Sequence, residues 1–334
     1  NIIRMDINTR SPKIIALLPF RNEEVFLKEY IHTIKKITDH IVAHDNGSTD
    51  NGAQMLKEAG AIIIPRSIEF KEDFREHEIR TLLLEHGRAH GGTHFICLDA
   101  DEVFSDNFHA HARETILALS PGQSLWMDWV TLFRGISTER IDGIYKKISK
   151  SFIFCDDIGI QFKYAFLGVS RTPGDVLNRA VIERSRGSVI HYQYVNTERS
   201  NMKRMWYMCY EHIRKVRSPL RINATYDIQK NKTNTPTRSL SPETKFTIIN
   251  PAITSYDREN DWRFIAIKNW FDTYGVEFFE PLDIWEDDHL RKLFKERAGS
   301  NPQPVVLPSW LLKLNDIKNK IKIYVSFLNL SKIK

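Results

Sequence analysis

Through the first hundred residues, short unbroken apolar runs alternate with stretches whose apolar residues fall three or four apart. "KIIALLPF" (13–20) is rich in Ile and Leu and predicts a buried strand. In "NEEVFLKEYIHTIKKI", Leu27, Ile31, Ile34 and Ile37 have helical spacing, and Glu23 and Glu24 occupy the first turn, where the helix dipole favours acids. "HIVAHD" (40–45) predicts a second strand, and "GSTDNGAQMLKEAG" a turn and a helix stopped at Gly60. "AIIIP" (61–65) predicts a third strand, residues 72–88 a helix, and "HFICLD" (94–99) a fourth strand. Strand and helix alternate throughout, the pattern of a parallel sheet with helices on its faces.

Such sheets bind ligands outside the carboxyl ends of their strands. The segments leaving those ends here are "FRNEE", "DNGSTD", "RSIEF" and "DADE". The pattern therefore gathers them on one rim, although they are spread over some eighty residues. Most conspicuous is the fourth, where the run Phe95 to Leu98 passes directly into Asp99, Asp101 and Glu102.

In this order and spacing, "LLPFRNEE", "DNGSTD" and "ICLDADE" resemble the GT-A glycosyltransferases of the family 2 type. The resemblance covers residues 13–110 well and 110–200 loosely. It implies a GT-A (Rossmann-like) α/β fold, a mostly parallel sheet flanked by helices, with a helical C-terminal extension. It also implies nucleotide contacts from Phe20, Arg21, Asn22, Glu23, Asp45 and Asn46. In the family the Asp-x-Asp acids, here Asp99 and Asp101, hold a divalent metal (Mn²⁺ or Mg²⁺) and the ribose of a sugar nucleotide. The chemistry of the residues agrees. Carboxylates accept bonds from base N–H groups and ribose hydroxyls, and hard cations take oxygen ligands while bridging diphosphate oxygens.

Beyond residue 110 the pattern is less regular. "SLWMDWVTLF" and "KKISKSFIFCDD" predict strands, the second running into Asp156 and Asp157. "GSVIHYQYVN" (187–196) predicts another, with His191 at its middle. A lone His in an apolar strand commonly belongs to the core; the resemblance implies instead a late His as a further metal ligand. Inverting family members use a downstream acid as base, commonly in a Glu-Asp pair at a helix start. No such pair stands here, so Asp157 and Asp156, ahead of "IGIQFKYAFLG", are the expected catalytic acids, with Asp128 behind them. Residues 198–217 form a Met-, Trp- and Tyr-rich helix, read as core rather than a sugar-stacking platform. Residues 231–245 are polar, with two prolines and no apolar period, and predict a loop. "DWRFIAIKNWFDTYG" and "LDIWEDDHLRKLFKER" predict two further helices. The expected organisation is a catalytic domain over 10–225, a polar loop or insertion over 226–250, a helical addition over 251–308 and a basic tail over 309–334.

Composition narrows the class. The 334 residues are 42% hydrophobic and 27% charged, as in soluble globular proteins. No run approaches about 18 apolar residues, so nothing in the sequence reads as a bilayer span. The start, "NIIRMDINTR", has no apolar signal region and no initiator Met, and is read as a trimmed chain or part of a longer one. Cys97, Cys155 and Cys209 are far apart and in no CxxC pair, which argues for a reducing compartment rather than a disulfide or zinc framework. Net charge is +6, but Ser309–Lys334 holds six lysines against Asp316. The main body is nearly neutral, which argues against a nucleic-acid partner. As a helix, the tail would align Trp310, Leu314, Ile317, Ile321, Tyr324 and Leu328 within about 40° of one line, flanked by lysines. That pattern resembles an interfacial helix on an anionic bilayer.

These readings converge on a metal-dependent, inverting glycosyltransferase. Its donor is a nucleotide sugar (UDP-, dTDP- or GDP-linked) and its acceptor a glycan or a lipid-linked molecule. The setting expected is surface polysaccharide or glycolipid synthesis, by a cytoplasmic protein held peripherally at the inner face of the membrane. A sugar-phosphate nucleotidyltransferase would carry a Gly-rich loop after the first strand, and "PFRNEE" has no glycine. A non-catalytic nucleotide-sugar-binding relative is disfavoured by the intact Asp-x-Asp.

Overall fold

The computed structural model describes residues 11–65, 76–145, 149–157, 159–163, 170–173, 178–230, 232, 234–314 and 317. In chain order its elements begin with β1 (Ile14–Phe20), α1 (Glu24–Ile34), β2 (His40–Asp45), α2 (Gly52–Glu58), β3 (Ile62–Pro65), α3 (Glu76–Ala89) and β4 (His94–Ile96). There follow β5 (Glu102–Phe104), α4 (Asp106–His109), α5 (Ala112–Leu117), β6 (Gln123–Phe133), β7 (Thr138–Arg140) and β8 (Ser149–Cys155). The rest are β9 (Asn178–Val181), β10 (Ser188–Tyr194), α6 (Thr197–Ile213), α7 (Pro219–Tyr226), β11 (Thr237–Ser239), α8 (Trp262–Tyr274) and α9 (Asp288–Ala298).

The chain divides into two compact units, each assembled from three segments. The first comprises 1–132, 147–193 and 239–253; the second comprises 133–146, 194–238 and 254–334. This differs from the expected boundary near 225. The reason is α6, which packs on α7 and α8. Residues 239–253 return to the first unit instead of forming a separate insertion.

In the first unit β4, β1, β2 and β3 lie side by side in parallel, with Phe20 opposite Asp45 and Asp45 opposite Pro65. The predicted alternation is thus the observed one. Successive side chains of a strand point to opposite faces. Ile14, Ala16, Leu18 and Phe20 of β1 join Leu27, Tyr30 and Ile34 of α1 in one core, while Ile15 and Leu17 join Ile79, Leu83 and Leu84 of α3 in another. Each fully buried Ile or Leu contributes roughly 1.5–3 kcal/mol. α3 approaches β4 closely because Gly87 faces Phe95; a Cβ there would lie 2.6 Å from the ring.

Past β4 the sheet turns antiparallel. β8 runs against β4, with His94 opposite Cys155 and Ile96 opposite Ile153, and β6 runs against β8. β10 pairs antiparallel with β5, setting His191 opposite Glu102. The 244–250 segment lies along α1 and α4. The buried Glu29 carboxylate accepts from the Ile249 N–H at 2.8 Å and also from the Asn250 N–H, and the Asp106 N–H donates to the Lys245 carbonyl at 2.7 Å.

The second unit is mainly helical, with β7 and β11 paired. Asn196 caps α6 by accepting the Arg199 N–H at 2.9 Å, and α8 ends at Gly275 with φ of 80°. The aromatic stripe of α6 is core: Met202, Met205, Met208 and Cys209 are fully buried, and Trp206 stacks on Tyr210 at 5.3 Å. No helix among the described residues is long and apolar enough to cross a membrane.

Candidate active site

Two loops leave the carboxyl ends of β1 and β2 and are zipped together by side chains. Asn22 has a left-handed backbone (φ of 52°); its N–H donates to Ser48 Oγ at 3.1 Å, and its Oδ1 accepts the Thr49 N–H at 2.6 Å. Asp50 Oδ2 accepts the Glu24 N–H at 2.9 Å, and Glu24 Oε2 accepts the Asn51 N–H at 3.1 Å. Asp45 Oδ1 accepts the Ser48 N–H at 2.7 Å, a local turn that holds its carboxylate at the strand end.

The expected nucleotide contacts therefore divide. Asp45, Arg21 and Glu23 are half-buried on this rim. Phe20 is only 3% exposed and its ring lies in the core, because it is the last inward position of β1. Its carbonyl accepts the N–H of Asn46, which is likewise buried. Neither Phe20 nor Asn46 presents its side chain freely at the rim, and that of Asn22 is engaged in the latch.

At the end of β4 the chain folds into a turn, with the Glu102 N–H donating to the Asp99 carbonyl at 3.0 Å and the Asp99 N–H to Glu102 Oε2 at 2.9 Å. Asp99 is held from two sides. Arg80 Nη2 donates to Oδ1 at 3.1 Å, and Arg171 Nη2 pairs with Oδ2. Arg80 is steadied by Glu76, Nη2 to Oε1 at 3.0 Å. Glu102, fully buried, accepts Arg171 Nη2 and Trp129 Nε1 on Oε1 at 2.9 and 3.0 Å, and Arg171 Nε on Oε2 at 3.2 Å. Against a burial that would lower it, Asp99 and Glu102 raise the Arg171 guanidinium above its ordinary range. Behind the turn, burial pushes the Cys97 thiol up to about 12, so it stays protonated.

Asp101 and His191 meet across the β5–β10 pairing. His191 Nε2 lies 3.5 Å from Asp101 Oδ2, both residues are buried, and the Tyr192 N–H donates to the Asp101 carbonyl at 2.9 Å. Trp129 stacks on the imidazole, with centroids 4.4 Å apart and planes 19° from parallel. Lys150 Nζ stands 3.2 Å from the centroid of the same indole.

The donor chemistry suits a divalent ion. A carboxylate oxygen and an imidazole nitrogen 3.5 Å apart can share one cation at roughly 2.0–2.2 Å from each. Both oxygens of Asp99, the other expected ligand, meet arginines. No group of three or more His, Cys, Asp or Glu side chains suited to a metal occurs among the described residues.

The catalytic assignment of Asp156 and Asp157 is corrected. Because β8 is antiparallel to β4, the end of β8 lies at the start of β4, opposite the rim; the Asp156 N–H donates to the Thr93 carbonyl at 2.8 Å. Asp156 is buried in an ion pair with Arg88, and Asp157 approaches Gly122 at that same end. Asp128, opposite Ser149 at the start of β8, lies toward the rim end. Sequence reading missed Arg80, Arg171, Trp129 and Lys150. For Arg80 the four-residue offset from Glu76 is a signal of a paired helix face; the other three carry no local signal.

The chain shows similarity to known proteins at two levels. Residues 16–116 match the model of glycosyl transferase family 2. No curated protein matches. Among solved structures, the chain is similar to glucosyl-3-phosphoglycerate synthase from Mycobacterium tuberculosis, crystallised with Mn²⁺, uridine diphosphate and glucosyl-3-phosphoglycerate. The identity is 20% over 40% of this chain and 50% of that one, with a TM-score of 0.25. It is also similar to S. aureus TarS 1-349, at 13% identity over 92% of this chain and 88% of that one, with a TM-score of 0.36. The chain spans about half the length of the mycobacterial synthase. The part of the chain that matches the family 2 model, residues 16–116, is the part that holds the parallel strands and their acidic rim.

Proposed function

We propose that this protein is a metal-dependent glycosyltransferase that moves a sugar from a nucleoside-diphosphate sugar to a glycan or lipid-linked acceptor. The observation that carries the reading is the Asp101–His191 pair, buried at the carboxyl-end rim of a sheet matched by the family 2 model.

Asp101 and His191 would hold the cation, which when bound supplies Lewis-acid stabilisation of the leaving diphosphate. Asp45, kept at the strand end by the Ser48 N–H, accepts from the base or ribose. Arg80 and Arg171 fix Asp99 beside it, so that its carboxylate is oriented before a donor arrives. Inversion requires a base on the acceptor side of the sugar, within reach of the attacking hydroxyl. Of the three acids considered, Asp128 is the one toward the rim end of the sheet and takes that role. The exposed apolar side chains of Trp310, Leu314 and Ile317, at 58%, 46% and 50%, fit a tail that docks on an anionic membrane beside a lipid-linked acceptor. The remainder of that stripe lies outside the described residues.

The test is a panel of UDP-, dTDP- and GDP-sugars assayed for hydrolysis with Mn²⁺, with Mg²⁺ and with EDTA. Metal-dependent turnover of one nucleotide class is expected, lost in Asp101→Ala at an unchanged melting temperature. Turnover persisting in EDTA overturns the reading.

A further inference from the structure

A metal-binding histidine ordinarily has its ring fixed by a hydrogen bond from the second ring nitrogen to a carboxylate or carbonyl. Among the described residues His191 lacks that device: its Nδ1 is buried with no hydrogen-bond partner there. Its ring plane nevertheless sets Nε2 toward Asp101. The neighbour that restrains the ring is Trp129, stacked at 4.4 Å and 19°. An indole can fix another ring only if it is itself held, and Trp129 is held twice. Its Nε1–H donates to Glu102 Oε1 at 3.0 Å, and Lys150 Nζ packs 3.2 Å from its centroid. Glu102 has no freedom to yield, because it is fully buried and its oxygens also accept from Arg171 and the Asp99 N–H.

From this chain of contacts we infer that Trp129 and Glu102 are positioning residues for His191, with a stacked, anchored indole replacing the usual Nδ1 hydrogen bond. The inference rests on the proposed role of Asp101 and His191 as metal donors and adds what keeps them aligned. The arrangement sets two requirements on position 129. A flat ring must face the imidazole, and an N–H must reach Glu102. Glu102 thereby does two things at once, closing the Asp99–Glu102 turn and orienting the indole.

The experiment titrates Mn²⁺ alone into the full chain, reading free ion by electron paramagnetic resonance and tryptophan emission in parallel. It compares wild type with Trp129→Leu, Trp129→Phe, Glu102→Gln and His191→Ala, each with its melting temperature. Loss of an outer-shell partner typically weakens metal affinity about 10- to 100-fold. Trp129→Leu and Glu102→Gln should therefore bind Mn²⁺ at least about tenfold more weakly, and Trp129→Phe, which keeps a ring without the N–H, should fall between. Bound Mn²⁺ should quench wild-type emission, and Trp129→Phe should lose most of that quenching. If His191→Ala weakens binding while the Trp129 and Glu102 variants stay within about twofold of wild type, the positioning role is overturned and the metal site stands. If His191→Ala binds like wild type, both are overturned. Should Trp129→Leu fail to fold, Trp129→Phe and Glu102→Gln decide the matter.

Discussion

Arg88 and Asp156 form a two-pronged ion pair, Nε to Oδ2 at 2.7 Å and Nη2 to Oδ1 at 2.6 Å, at the end of the sheet away from the acidic rim. The same guanidinium donates to the Ile160 carbonyl at 2.8 Å, so it joins the end of α3 to the segment after β8. Removing one member of a buried pair leaves the other uncompensated. Asp156→Ala should therefore destabilise the fold by about 3 kcal/mol while the folded fraction keeps its specific activity. Urea unfolding with an activity assay below the transition checks this. Full stability with activity lost would restore a catalytic role for Asp156.

Asn22 serves the loops both through its side chain and through its left-handed backbone. Asn22→Gly removes the acceptor for the Thr49 N–H but relaxes the backbone, whereas Asn22→Ala loses the same acceptor and keeps a Cβ in that conformation, at a cost of about 1 kcal/mol relative to Gly. The alanine variant should be less stable than the glycine variant by roughly that amount. Both should bind nucleotide more weakly, because the β1 and β2 loops lose their latch. Paired denaturation curves and calorimetry with uridine diphosphate give the comparison.

Lys150 gives a pH signature. Burial, and next Arg171, lower its ammonium to about 7, from 10.5 in the unfolded chain. Between these values the unfolded chain binds the extra proton. The contribution of Lys150 to stability is thus fully present above the unfolded value, shrinks as the pH falls, and is gone below about 7. The stability of wild type relative to Lys150→Met should increase steadily from pH 7 to pH 9 by about the linkage slope of one proton. Denaturation at several pH values measures it, and a difference independent of pH contradicts it.

The tail predicts a partition. Full-length protein should sediment with anionic liposomes at low salt, and a chain ending at Pro308 should not, because each lysine near the surface contributes roughly 1 kcal/mol. Equal sedimentation of both chains, or of neither, removes the membrane assignment.

What could be read beforehand follows the range of the interactions. β1 to β4 and their rim were legible because each strand is a short apolar run and parallel strands must share a polarity. Asp156 was misplaced because "KKISKSFIFC" announces a strand without its direction, and that direction decides which end of the sheet the acids reach. Trp129 and Lys150 were invisible because only the pairings of β6 with β10 and with β8 bring them to His191, and Arg171 because it reaches Asp99 and Glu102 from a distant loop. His191 was accessible through the family resemblance, while its stacking partner 62 positions earlier was not.

Glu29 accepts its bonds from residues 249 and 250, some 220 positions further along the chain. During synthesis α1 emerges early with a carboxylate that its own neighbourhood does not satisfy, and the matching amides come last of all the first unit's segments. Closing so long a loop is entropically costly and slows folding. The acidic rim can form while the strap over α1 is still unmade. This unit is therefore expected to finish folding only after residues 194–238 of the other unit have left the ribosome, leaving the Glu29 side of α1 uncovered in the interval.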